Sequence, residues 1–243
     1  MEMQRLDKLL AGTGKWSRRE VKLLVKQGRV LADGAPAPSS EEKYDPETVM
    51  LTVDGENVFW RKHTWVMLNK PDGYLSATED GKGKTVLDLL PPDLQKLELF
   101  PVGRLDKDTE GLLLLTDDGQ TAHRLLSPKY HVDKVYYARV DGCLEEVDCR
   151  AFEMGMTIGD GLVCRPAGLK ILTAGAQSEC LVTLREGKFH QVKRMLAARG
   201  KPVIYLKRVA MGKLTLDEKL RIGEFRLLTE NELNMLRGNM EDT

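Results

Sequence analysis

Between Gly103 and Gly111 the chain places five charged side chains: Arg104, Asp106, Lys107, Asp108 and Glu110. Three chemistries compete for this stretch. Asp106, Asp108, Glu110, Gly111 and Asp117 fall at positions 1, 3, 5, 6 and 12 of a calcium-binding EF-hand loop. The flanks argue against that reading: an EF-hand loop lies between helices, whereas Pro101 and Gly103 precede this one and Leu112 to Leu115 reads as a buried strand. A second reading is a solvated acidic turn joining two strands. A third is catalytic, because a carboxylate at a strand end, with an arginine two residues earlier and a glycine on either side, can be held as an oriented nucleophile or base. The residues of the loop leave the last two open.

Hydrophobic spacing outlines the scaffold that such a carboxylate would need. Near the N-terminus, Leu6, Leu9 and Leu10, then Val21, Leu24 and Val25, follow the i, i+3, i+4 rule and predict two short helices. Ser17-Arg18-Arg19-Glu20 is a capping box that opens the second, and Gly28 can close it. Arg18, Lys22 and Lys26 recur every four residues, so they form a basic ridge facing away from the apolar stripe. Arg29 to Leu31 and Val49 to Val53 read as strands ended by Asp33-Gly34 and Asp54-Gly55 turns. Beyond a hinge near residues 56–64, strands are predicted at Trp65 to Leu68, Leu112 to Leu115, Lys134 to Val140, Leu181 to Leu184 and Val203 to Leu206. Thr116-Asp117-Asp118-Gly119 reads as a turn, His190 to Arg199 and Glu230 to Leu236 as helices, the latter opened by the capping box Thr229-Glu230-Asn231-Glu232. The pattern is α+β: a small unit over residues 1–59 and a larger mixed unit over 60–243 without regular strand–helix alternation.

Composition narrows the class. The chain has 243 residues, 42% hydrophobic and 30% charged, which excludes disordered and fibrous proteins. Its longest aliphatic run is far shorter than the roughly 18 residues of a membrane span, and Met1 to Arg5 has no apolar signal core, so a cytoplasmic protein is expected. Cys143, Cys149, Cys164 and Cys180 form no C-x-x-C pair and read as buried thiols. The 37 basic and 37 acidic residues cancel, yet they are segregated. Residues 1–30 carry eight Lys/Arg against three acids, residues 31–60 one against seven, and residues 185–213 nine against one. Two basic patches in a neutral chain suit a phosphate-bearing partner.

Three sets of motifs carry a resemblance. Arg5-Leu6-Asp7-Lys8-Leu9-Leu10, Ser17-Arg18-Arg19-Glu20, Gly28-Arg29-Val30 and Asp33-Gly34 resemble an S4-type RNA-binding domain. Gly103-Arg104-Leu105-Asp106 with Thr109-Glu110-Gly111 and the following leucines resembles the catalytic motif of bacterial ribosomal-RNA pseudouridine synthases. Ser127 to His131 leading to Lys134-Val135-Tyr136, and Glu186-Gly187-Lys188-Phe189-His190-Gln191-Val192-Lys193-Arg194-Met195, are similar to two further motifs of that family. The pattern is closest to the RsuA-type branch, which acts on small-subunit 16S rRNA.

The resemblance implies a small S4-like domain followed by a catalytic domain with a mainly antiparallel mixed sheet. It implies Asp106 as the catalytic carboxylate, Tyr136 against the uracil, and Lys193 or Arg194 as the cation that keeps Asp106 ionised. Burial alone would raise the pKa of that acid. Arg104 would fill the gap left by an extruded base or grip its phosphate. Arg5, Lys8, Arg18, Arg19, Lys22, Lys26, Lys70, His190 and Arg194 are the expected RNA contacts. No metal or cofactor is expected, and the expected partner is ribosomal RNA or an assembling small subunit, met by a monomer. Large-subunit rRNA, and a non-catalytic RNA-binding assembly factor, are the competing readings.

Overall fold

A computed structural model describes residues 3–81, 83–159 and 161–238. The chain divides into two compact units, Met1–Thr64 with Leu90–Leu99, and Trp65–Leu89 with Phe100–Thr243.

In the first unit α1 (Leu6–Ala11) and α2 (Arg18–Lys26) pack on an antiparallel sheet of β1 (Val30–Ala32), β2 (Ala35–Pro36), β3 (Leu51–Val53) and β4 (Glu56–Val58), ordered β2-β1-β3-β4. The helix start follows the sequence signal: Ser17 Oγ accepts from the Glu20 amide, and the Glu20 carboxylate accepts from the Ser17 amide at 2.7 Å. Both hairpins turn on Asp-Gly pairs with positive φ at each residue, 50° and 80° at Asp33-Gly34 and 54° and 81° at Asp54-Gly55, the twist that tight hairpins favour. Leu6, Leu9, Leu10, Val21 and Leu24 are buried against Val30, Leu51 and Val53. Arg18, Lys22 and Lys26 lie exposed. Residues 56–58, expected to begin a hinge, are instead a hairpin strand paired with β3.

The second unit is built on β5 (Trp65–Lys70), β6 (Glu110–Thr116), β7 (Lys134–Asp141), β8 (Gly168–Thr173), β9 (Gln177–Leu184), β10 (Val203–Met211) and β11 (Phe225–Leu227), in the order β8-β9-β7-β10-β6-β5-β11. Two short strands, Leu214–Thr215 beside β10 and Phe100–Pro101 beside β6, complete the sheet. The helices are α3 (Gly119–Leu126), α4 (Glu146–Met154), α5 (Gln191–Ala198) and α6 (Glu230–Gly238). Trp65, Met67, Leu112 and Leu114 form the core with Ala122 and Leu125 of α3 and Leu233 and Leu236 of α6. Asp118 accepts from the Thr121 amide at 3.0 Å, so the expected Asp118-Gly119 turn is the capped start of α3. The Thr229–Glu232 box opens α6 as its sequence predicts.

All neighbours along this path are antiparallel except β10 and β6, which run parallel and meet at Lys207 with Glu110 and Arg208 with Gly111. This junction joins the two halves of the sheet, and it requires a glycine. A Cβ on Gly111 would lie 2.2 Å from the Arg208 carbonyl oxygen, and its φ of 99° is unfavourable for any side chain. Gly111→Ala is therefore expected to cost about 2–4 kcal/mol in urea unfolding. Gly119→Ala is the control, because a Cβ there meets nothing within 4 Å.

Candidate active site

The β6–β10 junction also sets out a row of side chains. Reading across the sheet, Val182 pairs with Tyr136, Tyr136 with Arg208, Arg208 with Gly111, and Gly111 with Lys70. Side chains of paired residues share a face, so Tyr136, Arg208 and Lys70 lie on one side. Leu184 and Leu206 join Tyr136 on that side and line a cleft of about 70 Å³ with Arg104, Asp106 and Thr109.

The loop carrying Asp106 is fixed from beneath. Lys70 is fully buried, and its ammonium donates to the carbonyls of Pro71 at 2.9 Å, Lys107 at 3.0 Å and Thr109 at 2.9 Å. The Ser76 hydroxyl donates to the Leu105 carbonyl and accepts from the Leu105 amide, while the Gly73 amide donates to Lys107. Lys70, expected from the sequence as an RNA contact, is thus a tether inside the protein, because its three donors are occupied by backbone. Burial pushes its pKa down to about 8.

With the loop held, Asp106 faces two side chains from the segment that ends in α5. Lys193 Nζ lies 3.3 Å from one Asp106 oxygen and His190 Nε2 3.5 Å from the other. Lys193 also reaches Asp108 at 2.5 Å, and that contact holds the Asp108 carboxyl below its ordinary pKa. The remaining glutamate of the loop points elsewhere: Glu110 accepts from the Tyr205 hydroxyl at 2.6 Å. Gln191 stiffens the segment before α5, accepting from the Lys188 amide at 3.0 Å and donating to Glu186 at 2.7 Å.

Tyr136 is 9% exposed and forms part of the cleft wall. Beside it on the same strand face, Lys134 is buried and donates to the Val132 carbonyl at 3.1 Å. Burial first, then repulsion from Arg208, pushes the Lys134 pKa down to about 8. Arg208 is buried too, its Nε donating to Leu112 at 2.7 Å. Two buried cations thus stand on the face that carries Tyr136, where they favour a carboxylate or a developing oxyanion. Lys134 and Arg208 were not among the residues expected from the sequence. The available signal was a charged residue in phase with the inward positions of an otherwise apolar strand.

Other expected site residues have different surroundings. Arg104 is exposed at the cleft, and Arg194 is half-buried on α5 with its guanidinium beside Gly159. In the first unit, Lys8, Arg18, Arg19, Lys22 and Lys26 are exposed. Arg5 binds both oxygens of the buried Asp7, at 3.1 and 2.7 Å, which gives it a structural partner within the fold. The cysteines are free thiols, three buried as expected, while Cys143 is exposed.

The RNA pseudouridylate synthase family model matches residues 64–198, a span that contains the Asp106 loop, Tyr136 and Lys193. The chain belongs to this family. An S4 domain model matches residues 4–49, so this pseudouridine synthase carries an S4 domain ahead of its catalytic fold. It is 51% identical to the uncharacterized RNA pseudouridine synthase YtzG of Bacillus subtilis (strain 168), over 96% of this chain and 98% of that one. It is 39% identical to the ribosomal small subunit pseudouridine synthase A of Vibrio cholerae, over 94% of this chain and 97% of the relative. A crystal structure of a pseudouridylate synthase superimposes with a TM-score of 0.67 at 35% identity, covering 96% of this chain and 99% of the other. Among the described residues of this synthase, no helix is long and apolar enough to cross a membrane.

The tether has a measurable pH signature. The folded synthase holds the Lys70 pKa near about 8 against an ordinary 10.5, so between those values the unfolded chain binds more protons. The contribution of Lys70 to stability therefore rises with pH through this window. Urea unfolding at pH 8 and pH 10 should show wild type gaining stability relative to Lys70→Met, and equal slopes for the two would contradict the assignment.

Proposed function

We propose that this synthase converts a specific uridine of small-subunit 16S rRNA to pseudouridine, with Asp106 as the reacting carboxylate on an extruded base. The observation that carries the reading is the Asp106 carboxylate held 3.3 Å from Lys193 in a cleft walled by Tyr136. The likeness to a ribosomal small subunit pseudouridine synthase A over nearly the whole chain supports the choice of RNA.

The reaction breaks the C1′–N1 bond, turns the uracil and joins C5 to C1′, and the hydrogen on C5 leaves as a proton. No electrons are gained or lost. Attack by the carboxylate on C6 or on C1′, and departure through a glycal, all require an ionised acid, and Lys193 lies 3.3 Å from it as an ion-pair partner. The buried Lys134 and Arg208, on the sheet face that carries Tyr136, add a positive field on the side where negative charge develops on the uracil as the bond to C1′ breaks. Extruding the base costs a few kcal/mol. Packing on Tyr136 offsets part of that, and Arg104 at the cleft edge enters the vacated place in the RNA. Arg194 and the exposed ridge of Arg18, Lys22 and Lys26 contact phosphates, so the S4 domain adds sequence-independent affinity.

Tritium release from 16S rRNA labelled at C5 of uridine tests the reaction directly, because forming the new bond expels that hydrogen. Wild type is expected to release tritium. Asp106→Asn is expected to release none while binding the RNA within a few fold of wild type. Conversion retained by Asp106→Asn would overturn the role of the carboxylate, and release from large-subunit RNA alone would replace the substrate. In a separate measurement, replacing Arg18, Lys22 and Lys26 together by Ala should reduce the slope of log affinity against log salt by about 2–3. An unchanged slope would remove the ridge from the RNA contact surface.

A further inference from the structure

One aromatic side chain beside the Asp106 cleft has no part in the chemistry above. Phe189 is 74% exposed, an unfavourable position for a large apolar ring. Its inner face lies flat on the His190 imidazole, with ring centroids 3.8 Å apart and planes inclined by 17°. His190 is in turn 3.5 Å from Asp106. Its backbone is left-handed, with φ of 51°, a conformation that persists only where the surroundings hold it. Here the Gln191 side chain ties Lys188 to Glu186 across the same turn. The tied turn and the stack on His190 restrict the exposed ring before any partner arrives, which lowers the entropy lost on stacking.

The surroundings define what fits its outer face. Residues 185–213 carry nine basic residues against one acid, and Lys188 and Lys193 flank the aromatic pair in sequence. A flat apolar ring on a basic rim matches a planar group joined to an anionic chain, which is a nucleobase of single-stranded RNA. We propose that Phe189, backed by His190, is a stacking platform for the unpaired base next to the target uridine. The inference rests on Asp106 as the reaction centre. His190 meets Asp106 through its Nε2 edge and Phe189 through its ring face, so the platform stands beside the cleft that holds the carboxylate. This gives the synthase a handle on RNA that is independent of phosphate charge. It favours a target whose neighbour is also unpaired.

Phe189→Ala, Phe189→Tyr and Phe189→Trp in the full-length chain test the platform with a 16S rRNA transcript. Phe189→Ala is expected to raise KM and weaken RNA binding about 5- to 100-fold. Its tritium release at saturating RNA should stay within about threefold of wild type. Phe189→Tyr should restore binding. Phe189→Trp should remain active, and its added indole fluorescence should be quenched as RNA binds. Equal melting temperatures would establish that the exposed position leaves folding unchanged. Unaltered KM and affinity in Phe189→Ala, or indole fluorescence in Phe189→Trp that ignores saturating RNA, would overturn the platform. If wild type releases no tritium from 16S or large-subunit RNA, the proposed reaction fails. The fluorescence titration still decides whether a base stacks at position 189.

Discussion

The Lys70 ammonium lies where β5 ends and the acidic loop begins, and it gathers the carbonyls of Pro71, Lys107 and Thr109 around one buried charge. Three backbone acceptors pointing inward at one place would each require a donor, and a single lysine supplies all three. The consequence is a loop whose backbone cannot shift without exposing unpaired carbonyls. Asp106 stands on that loop, and its distances to Lys193 and His190 are meaningful only because the loop is fixed. The depressed pKa of Lys70 is the cost of this arrangement, since burial of the ammonium outweighs the attraction of Asp72, Asp108, Glu110 and Asp106.

The same part of the fold contains an unusual balance of charge. Lys193 pairs with two carboxylates at the surface of the cleft, while Lys134 and Arg208 lie buried and donate to the Val132 and Leu112 carbonyls. Buried cations without counter-ions are destabilising by themselves. Gly111 allows this concentration, since it lets the backbone of β10 approach β6 closely enough to set Arg208 at the start of β6, next to the loop that carries Asp106.

Local features of the fold were legible wherever the deciding contacts lie within a few residues. The Ser17–Glu20 and Thr229–Glu232 capping boxes form as written, and the Asp33-Gly34 and Asp54-Gly55 pairs turn the hairpins. The apolar runs at 65–68, 112–115 and 134–140 are strands, each somewhat longer than its run because polar ends such as Lys70 and Glu110 still pair in the ladder. The helix Glu146–Met154 was missed because its buried face consists of Asp148, Cys149 and Phe152, too short and too polar for a clear apolar stripe. Asp118 was read as part of a turn because an Asp-Gly pair serves equally as a helix cap, and only the hydrogen bond to Thr121 distinguishes them.

By itself the sequence determined the α+β class, the S4-like opening, the family motifs and the basic segregation along the chain. These are matters of periodicity and order, which need no long-range contact. Tertiary structure alone decided which charges meet. Lys70 is 37 and 39 residues from the Lys107 and Thr109 carbonyls it holds, and Lys193 is 85 from Asp108. Whether a lysine faces solvent, a carbonyl or a carboxylate depends on what the sheet order β10-β6-β5 brings alongside it. Arg5 and Lys70 read from the sequence as available cations, and both are committed to partners inside the protein: Lys70 is itself buried, and Arg5 pairs with the buried Asp7, because a buried charge has no stable alternative to pairing.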